Sequence, residues 1–361
     1  MWYNCGLSNL KSKPMQRKTL LSFSLLVLLG FIWGSGYSLA KIAMQQGVPP
    51  LGYSFWQSLG PALLLSLLCV KHYKTLFNRQ LWPYFFICGL IGIAVPNTNM
   101  YYAASHLPAG LLSVIVNTVP IMTYPLALAV GQERFHWQRL VAILLGTLGI
   151  IMLVSPSLSL PAIHMHPWAL TALISPLSFA CCSIYIAAKS PPKANPLISS
   201  AGMLLCSAFL LTPLIIKNQA FYPLTGPFTL GKQVVVLEIL LSSIGYIVFF
   251  QLIRVAGPVF YSLTGGMVAI TGLFWGYTLF HETLSIKQCI PIVLILIGIA
   301  LLSRQQKRYN DNITSHSEPR KGNPNASGRS FDCAQDDTVS SSRARRGISL
   351  CLKEILRLRS G

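Results

Sequence analysis

Negative charge is nearly missing from most of this sequence. Of nine acidic residues, only Glu133, Glu238 and Glu282 fall within residues 1–303; the other six follow Ser303. A water-facing surface around three hundred residues cannot be built with three carboxylates. A lipid-facing one can, because an ionised carboxylate in hydrocarbon is costly. Charged residues make up 10% of the chain and hydrophobic ones 53%, where soluble chains carry about a quarter charged residues. Together these exclude a soluble enzyme. The sequence also lacks G-x-x-x-x-G-K-[ST], which excludes ATP hydrolysis through that phosphate-binding loop. Its nine cysteines are scattered without a C-x-x-C pair or a Cys/His metal spacing, and read as small buried hydrophobes. Cys181 and Cys182 are adjacent and face different ways on a helix, a poor disulfide or metal pair. Histidine is kept out of the middle of every apolar run, and His164 with His166 would give a metal only two ligands. No catalytic residue, metal or cofactor is expected, and an intramembrane lipid-modifying enzyme lacks its constellation. A structural membrane subunit is disfavoured by the polar residues inside the apolar runs.

What the chain has in quantity is long apolar runs. A membrane-spanning helix needs about 20 mostly apolar residues, and ten stretches qualify: 19–44, 51–70, 81–104, 109–130, 138–155, 167–188, 195–216, 233–255, 258–280 and 286–303. Tight turns are expected at Leu107–Gly110 and at Ala256–Pro258. Short linkers between long helices imply antiparallel neighbours. The first run is too long for a secretory signal and lacks a small-x-small cleavage site, so it reads as an uncleaved span.

The formal net charge of +19 does not suggest nucleic acid, since the basic residues sit between apolar runs rather than along an aromatic-interleaved stripe. Placing the N-terminus inside puts fifteen Lys and Arg of residues 1–308 on the inner side and four on the outer: Lys41, Lys217, Lys232 and Lys287. That asymmetry predicts two cytoplasmic termini and an even number of spans. Residues 304–361 are rich in Ser, Arg, Asn and Asp and are expected to be disordered. Ile348–Leu358 is read either as a piece lying on an anionic membrane or as part of a non-native tail.

The strongest organisational signal is self-similarity at an offset of 149. Gly-Gln-Glu133 follows the fourth run and Phe-His-Glu282 the ninth, and the offset also relates Gly149 to Gly298, Ile121 to Ile270 and Val119 to Val268. The expected fold is an all-α integral membrane protein of ten helices, with a first five-helix repeat over 19–155 and a second over 156–303. Residues 1–18 form a cytoplasmic segment. Five is odd, so the second copy enters the membrane the other way up, an architecture of secondary transporters whose site lies near the midplane.

Trp33-Gly34-Ser35, Ala109-Gly110 followed by Pro120, and the Gly-x-Glu133 turn with Gly146 and Gly149 resemble the first repeat of the drug/metabolite transporter superfamily, EamA-type branch. Tyr246 to Gln251, Gly257-Pro258 and His281-Glu282 resemble its second, although Ala269 stands at the mate of Pro120. The resemblance covers about residues 20–303. It implies ten helices in an inverted repeat, a bacterial inner (cytoplasmic) membrane, and export or exchange of small metabolites by alternating access.

Polar and aromatic side chains inside the runs are the candidate site. Trp33, Tyr37 and Lys41 form an i, i+4, i+8 stripe. Lys41 is read either as a substrate contact or as snorkelling to the outer headgroups. Asn97 and Tyr101, with Asn99 and Tyr102, follow Pro96, which is expected to break the helix and free backbone groups for a ligand. Asn117, Tyr185, Tyr246 and Tyr261 complete the substrate-binding set, each read either as pocket lining or as packing. Glu238 is the one acid available for proton coupling, and the other reading has it near the outer interface, paired with Lys232 or meeting water. Glu133 and Glu282 are assigned to structural turns. The leading function is export of a small metabolite such as an amino acid. Efflux of lipophilic cations is second, because such a pump calls for a mid-membrane carboxylate and none is evident in the sequence. Expected partners are the small-molecule substrate, the bilayer and, as one arrangement, a second copy in a homodimer.

Overall fold

Proline sets where many helices of this chain begin and where they break. The computed structural model describes residues 9–69, 73–133, 135–154, 166–189, 191, 196–261, 264–282 and 285–317, and all regular structure among them is helical. Helix α1 is Asn9–Gln45 and α2 is Pro50–Leu68, which opens on proline, where the missing N–H would have had no partner. The short α3 is Tyr73–Leu76. The next column is α4 (Trp82–Gly89), a π-helical stretch Leu90–Ala94, and α5 (Val95–Ala104). The column after it is α6 (Ala109–Val116) and α7 (Val119–Ala129). Then come α8 (Trp137–Val154), α9 (His166–Ala172), α10 (Ile174–Lys189), α11 (Pro196–Lys217), α12 (Leu230–Tyr261), α13 (Thr264–Phe280) and α14 (Ile286–Ser317).

Three columns are broken, each just before a proline. Pro96 follows the π-helical stretch, Pro120 follows the α6–α7 break at Asn117–Thr118, and Pro176 follows the α9–α10 break at Leu173. A proline cannot donate to the residue four before it, and its ring crowds that carbonyl. Five helical stretches are long and apolar enough to cross a membrane: Leu20–Gln45, Ala109–Ala129, Pro167–Lys189, Leu197–Lys217 and Leu230–Phe249. Large apolar side chains such as Leu67, Leu144, Ile151, Phe209 and Ile216 face outward, as lipid requires.

Two boundaries differ from expectation. Helix α12 continues through Gly257 and Pro258 to Tyr261, since a proline this close to a helix end removes one hydrogen bond without stopping the last turn. Helix α14 runs past 303 to Ser317, because residues 304–317 contain neither glycine nor proline and extending an existing helix fixes only one residue per added bond. The rest of the tail, including Ile348–Leu358, lies outside the described residues.

The packing repeats itself. Helices α2 and α11 pack together, as do α8 and α14, and within the sequence these pairs are offset mates. Ser58 and Ser207 hydroxyls meet at 3.0 Å with a separation of 149 positions. A Cβ on Gly149 would stand 2.8 Å from the Pro291 carbonyl and from Ile295, and one on Gly298 would stand 2.8 Å from the Ala142 carbonyl and 3.1 Å from Gly146. Those two sets exchange when each residue is replaced by its mate 149 positions away. The pairing runs antiparallel, with low numbers of α8 against high numbers of α14. The turns repeat as well: the Glu133 N–H reaches the Ala127 carbonyl and the Glu282 N–H the Gly276 carbonyl, both at 3.4 Å.

Candidate functional site

Between the two halves lies a cavity of about 570 Å³, within the range of small-molecule pockets. Helical periodicity places its walls. From α1 come Trp33, Gly36 and Tyr37, one turn apart; from α12 come Glu238, Ser242 and Tyr246; from α5 come Asn97 and Tyr101; and from α13 come Thr264 and Val268. The α6–α7 break contributes Asn117 and Pro120, α10 contributes Phe179 and Ser183, and α2 contributes Gln57. At one end the lining reaches Glu133 and Arg139, whose Oε2 and Nη1 pair at 2.8 Å.

Polar groups in the walls are tied down by one another. Asn97 donates to Gln57 Oε1 at 3.0 Å. Asn117 donates to the Tyr37 hydroxyl at 3.0 Å and to the Ser113 carbonyl at 2.8 Å, so it also closes the broken end of α6. Trp33 meets Tyr246 edge to face at 6.3 Å and lies 5.9 Å from Phe249. Its ring has room because position 245 is glycine: a Cβ there would stand 2.6 Å from the indole nitrogen.

Glu238 is the chemical centre of this cavity. It is 7% exposed and lies about 12 Å along α12 from Leu230, at 1.5 Å per residue. Oε1 accepts from Ser242 at 2.8 Å, while Oε2 has no hydrogen-bond partner. A Cβ on Gly36 would stand 3.6 Å from Oε1, so α1 packs its glycine against the carboxyl group. The outer-interface reading of Glu238 is therefore corrected. Lys232 does not reach it but donates to the Thr225 carbonyl, because Lys232 sits nearly two turns earlier, at the helix start.

Other expectations are redistributed. Lys41 does not line the cavity: its ammonium pairs with Glu282 at 2.7 Å and lies 4.6 Å from the centre of the Phe280 ring. One turn beyond Tyr37 is enough to carry the stripe out of the cavity. The same Glu282 accepts from the backbone N–H groups of Ala109 at 2.8 Å and Gly110 at 3.0 Å, and so caps α6 across the fold rather than capping the helix that follows it. Tyr185 is not in the cavity either; it stacks on Tyr84 at 6.0 Å. The side chain of Tyr261 lies outside the described residues. Asn99 donates to the Thr171 carbonyl and to Ser175, while Tyr102 points outward, since they occupy the other side of the helix from Asn97 and Tyr101. At the backbone distortion before Pro96, Ser178 donates to the Ile91 carbonyl at 2.6 Å and Ser175 to the Pro96 carbonyl at 2.8 Å. Gln57 and Ser242 were not expected; each stands beside another polar residue, a serine, within an apolar run, and its role depends on its partner, Asn97 of α5 or Glu238 one turn earlier. Among the described residues, no three His, Cys, Asp or Glu side chains gather as a metal site.

Comparison with known proteins agrees with this architecture. Residues 20–155 and 166–304 each match the EamA-like transporter family. The chain is 28% identical over 296 residues to the uncharacterized inner membrane transporter YedA of Escherichia coli, covering 80% of this chain and 92% of that protein. It is 23% identical over 308 residues to the uncharacterized transporter YvbV of Bacillus subtilis, covering 82% and 95%. A probable amino-acid metabolite efflux pump of Salmonella typhimurium is 26% identical over 200 residues, 54% of this chain and 67% of that one. One solved crystal structure superposes with a TM-score of 0.53 at 18% identity, over 81% of this chain and 99% of the other, a likeness of fold alone. Two family matches in tandem, joined at a cavity walled from both, make the chain a membrane transporter with a small-molecule substrate, and it belongs to the EamA-like transporter family.

Proposed function

We propose that this protein is a secondary transporter that exports or exchanges a small metabolite, an amino acid or a relative of one, by alternating access across the inner membrane. The observation that carries the reading is the cavity. It is walled by both repeats, has neutral hydrogen-bonding groups set among aromatic rings, and is large enough for such a solute. The inverted arrangement of ten spans, with both termini cytoplasmic, is supported by the antiparallel pairing of offset mates. It is supported further by the Lys and Arg asymmetry of the loops. Access from one side at a time fits the lining, which extends to Glu133 and Arg139 at one end and stops a turn short of Lys41 and Glu282 at the other. Glu238, as the carboxyl group deepest in the cavity, is the group proposed for proton coupling.

The test is efflux. Cells overproducing the full chain are loaded with labelled amino acids, and release is followed against Asn97→Ala and Glu238→Gln variants of equal abundance. Faster release of one solute, lost in both variants, is the expected result. Equal release from producing and control cells for every solute, with the protein inserted in the membrane, would sink the exporter reading. The coupling role fails separately if Glu238→Gln transports as well as the parent and responds unchanged to an imposed pH gradient.

A further inference from the structure

The preference for a metabolite such as an amino acid over a lipophilic cation rested on the lack of a carboxylate well inside a span, and the cavity lining holds Glu238, the ninth residue of the apolar stretch Leu230–Phe249. Three observations bear on what such a carboxylate binds. The first is an acceptor without a donor. Glu238 belongs to the cavity lining and is buried; its Oε2 is itself closed to solvent and has no hydrogen-bond partner among the described residues, while Oε1 is held by Ser242. An ammonium group supplies up to three N–H donors, and a hydrogen bond between two charged groups is about twice as strong as a neutral one.

The second is the balance of charge. The other ionised groups of the lining, Glu133 and Arg139, pair with each other at 2.8 Å. Lys41 is spent on Glu282 and stands outside the lining. With Glu238 ionised, an entering cation therefore neutralises the cavity, whereas an entering anion meets a carboxylate and an arginine whose Nη1 is already paired. The third is the aromatic part of the lining. Trp33, Tyr101 and Tyr246 line the same cavity as Glu238, with Trp33 and Tyr246 edge to face. Ring faces attract an organic cation, more strongly where water is thin. The amides offer nothing ionic: Asn97 is paired to Gln57, and Asn117 to Tyr37.

We infer that this cavity recognises its solute by a positive charge: the permeant species is a compact organic amine cation with Glu238 as its counter-ion, and a carboxylate on the solute is not required. The inference rests on the reading of the cavity as the transport site.

The test uses the full chain in proteoliposomes and three labelled probes that share a phenol ring and differ in charge. Tyramine is a cation, tyrosine a zwitterion and 3-(4-hydroxyphenyl)propionate an anion. The expected result is counterflow of tyramine but not of the propionate. Tyramine counterflow falls about tenfold or more in Glu238→Gln, which loses a charged hydrogen bond, and is largely kept in Glu238→Asp, which retains the charge and so separates recognition from misfolding. Tyramine exchange unchanged in Glu238→Gln, or propionate moving as fast as tyramine, overturns the inference and leaves a transporter. Tyrosine moving while tyramine does not overturns it in favour of the zwitterion. Failure of all three probes in a preparation that still exchanges another solute also overturns it. Failure to exchange any solute removes the transporter reading as well.

Discussion

At the scale of single residues, the site is a set of positions whose roles depend on what faces them. Tyr37 holds Asn117, yet Asn117 has a second acceptor in the Ser113 carbonyl. Tyr37→Phe leaves one of the two amide N–H groups without its acceptor while the other stays on Ser113, and is expected to lower stability by about 1–3 kcal/mol, read as a drop in thermal midpoint in detergent. Gly245→Leu is harsher, because its first carbon lands against the Trp33 indole nitrogen. The ring must leave its place, at a cost of about 1–3 kcal/mol for overpacking. Transport should fail while Gly245→Ala, the smaller intrusion, retains part of it. Residue-level legibility was uneven for a physical reason. Asn97, Asn117, Trp33 and Tyr37 are conspicuous in apolar runs and do line the cavity. Tyr185 is just as conspicuous and does not, because a ring on a helix packs against whichever neighbour arrives, here Tyr84. Glu238 looked interfacial by its distance from the start of a run, and Lys41 looked functional by its charge. Burial and partner choice, which no single run contains, place Glu238 in the cavity lining and Lys41 on Glu282.

At the scale of elements, helices were legible where composition governs and their breaks where proline governs. Among the described residues the apolar stretches fall on helices, five of them long and apolar enough to cross a membrane. The ends of α12 and α14 escaped, since propagation of a helix already formed is cheap and loop-like composition does not stop it. The π-helical stretch before Pro96 escaped too, because it depends on Ser175 and Ser178 of α10 to receive the loosened carbonyls. The contact between α2 and α11 gives a direct check. With the Ser58 and Ser207 hydroxyls 3.0 Å apart, Ser58→Cys with Ser207→Cys, in a background without the native cysteines, is expected to form a disulfide under mild oxidation, since that spacing suits the bond's short reach. A pair that stays reduced under conditions that oxidise an exposed control would mean that these helices do not meet there.

At the scale of the whole molecule, one carboxylate joins three distant segments. Glu282 receives Lys41 from α1 and the first two N–H groups of α6, combining an ion pair with a helix N-terminus that favours negative charge. Glu282→Gln keeps the shape and loses the charge. It is expected to lower the thermal midpoint by an amount equivalent to about 2 kcal/mol, whereas Lys217→Gln, with no such partners described, should change little. Orientation is checked with single cysteines at two exposed positions, Gln46 after α1 and Phe135 after α7. With an impermeant thiol reagent on whole cells, Gln46→Cys should label and Phe135→Cys should not; the reverse pattern would invert the assigned topology.

The meeting of Ser58 with Ser207 has a consequence for evolution and for engineering. In the proposed alternating-access cycle, a residue that touches its own counterpart keeps the same environment when the two halves trade roles. A change there raises or lowers both orientations together and leaves the ratio between them untouched. The bias of the resting state must then be written elsewhere, in places where the counterparts differ. Glu133 and Glu282 are such a place: one holds an arginine six residues away, the other a lysine from a distant helix and the start of a third. The equilibrium between orientations is thus a heritable quantity carried by unequal twins, adjustable without altering the cavity lining by substitution at Lys41, the partner of Glu282 that stands outside it.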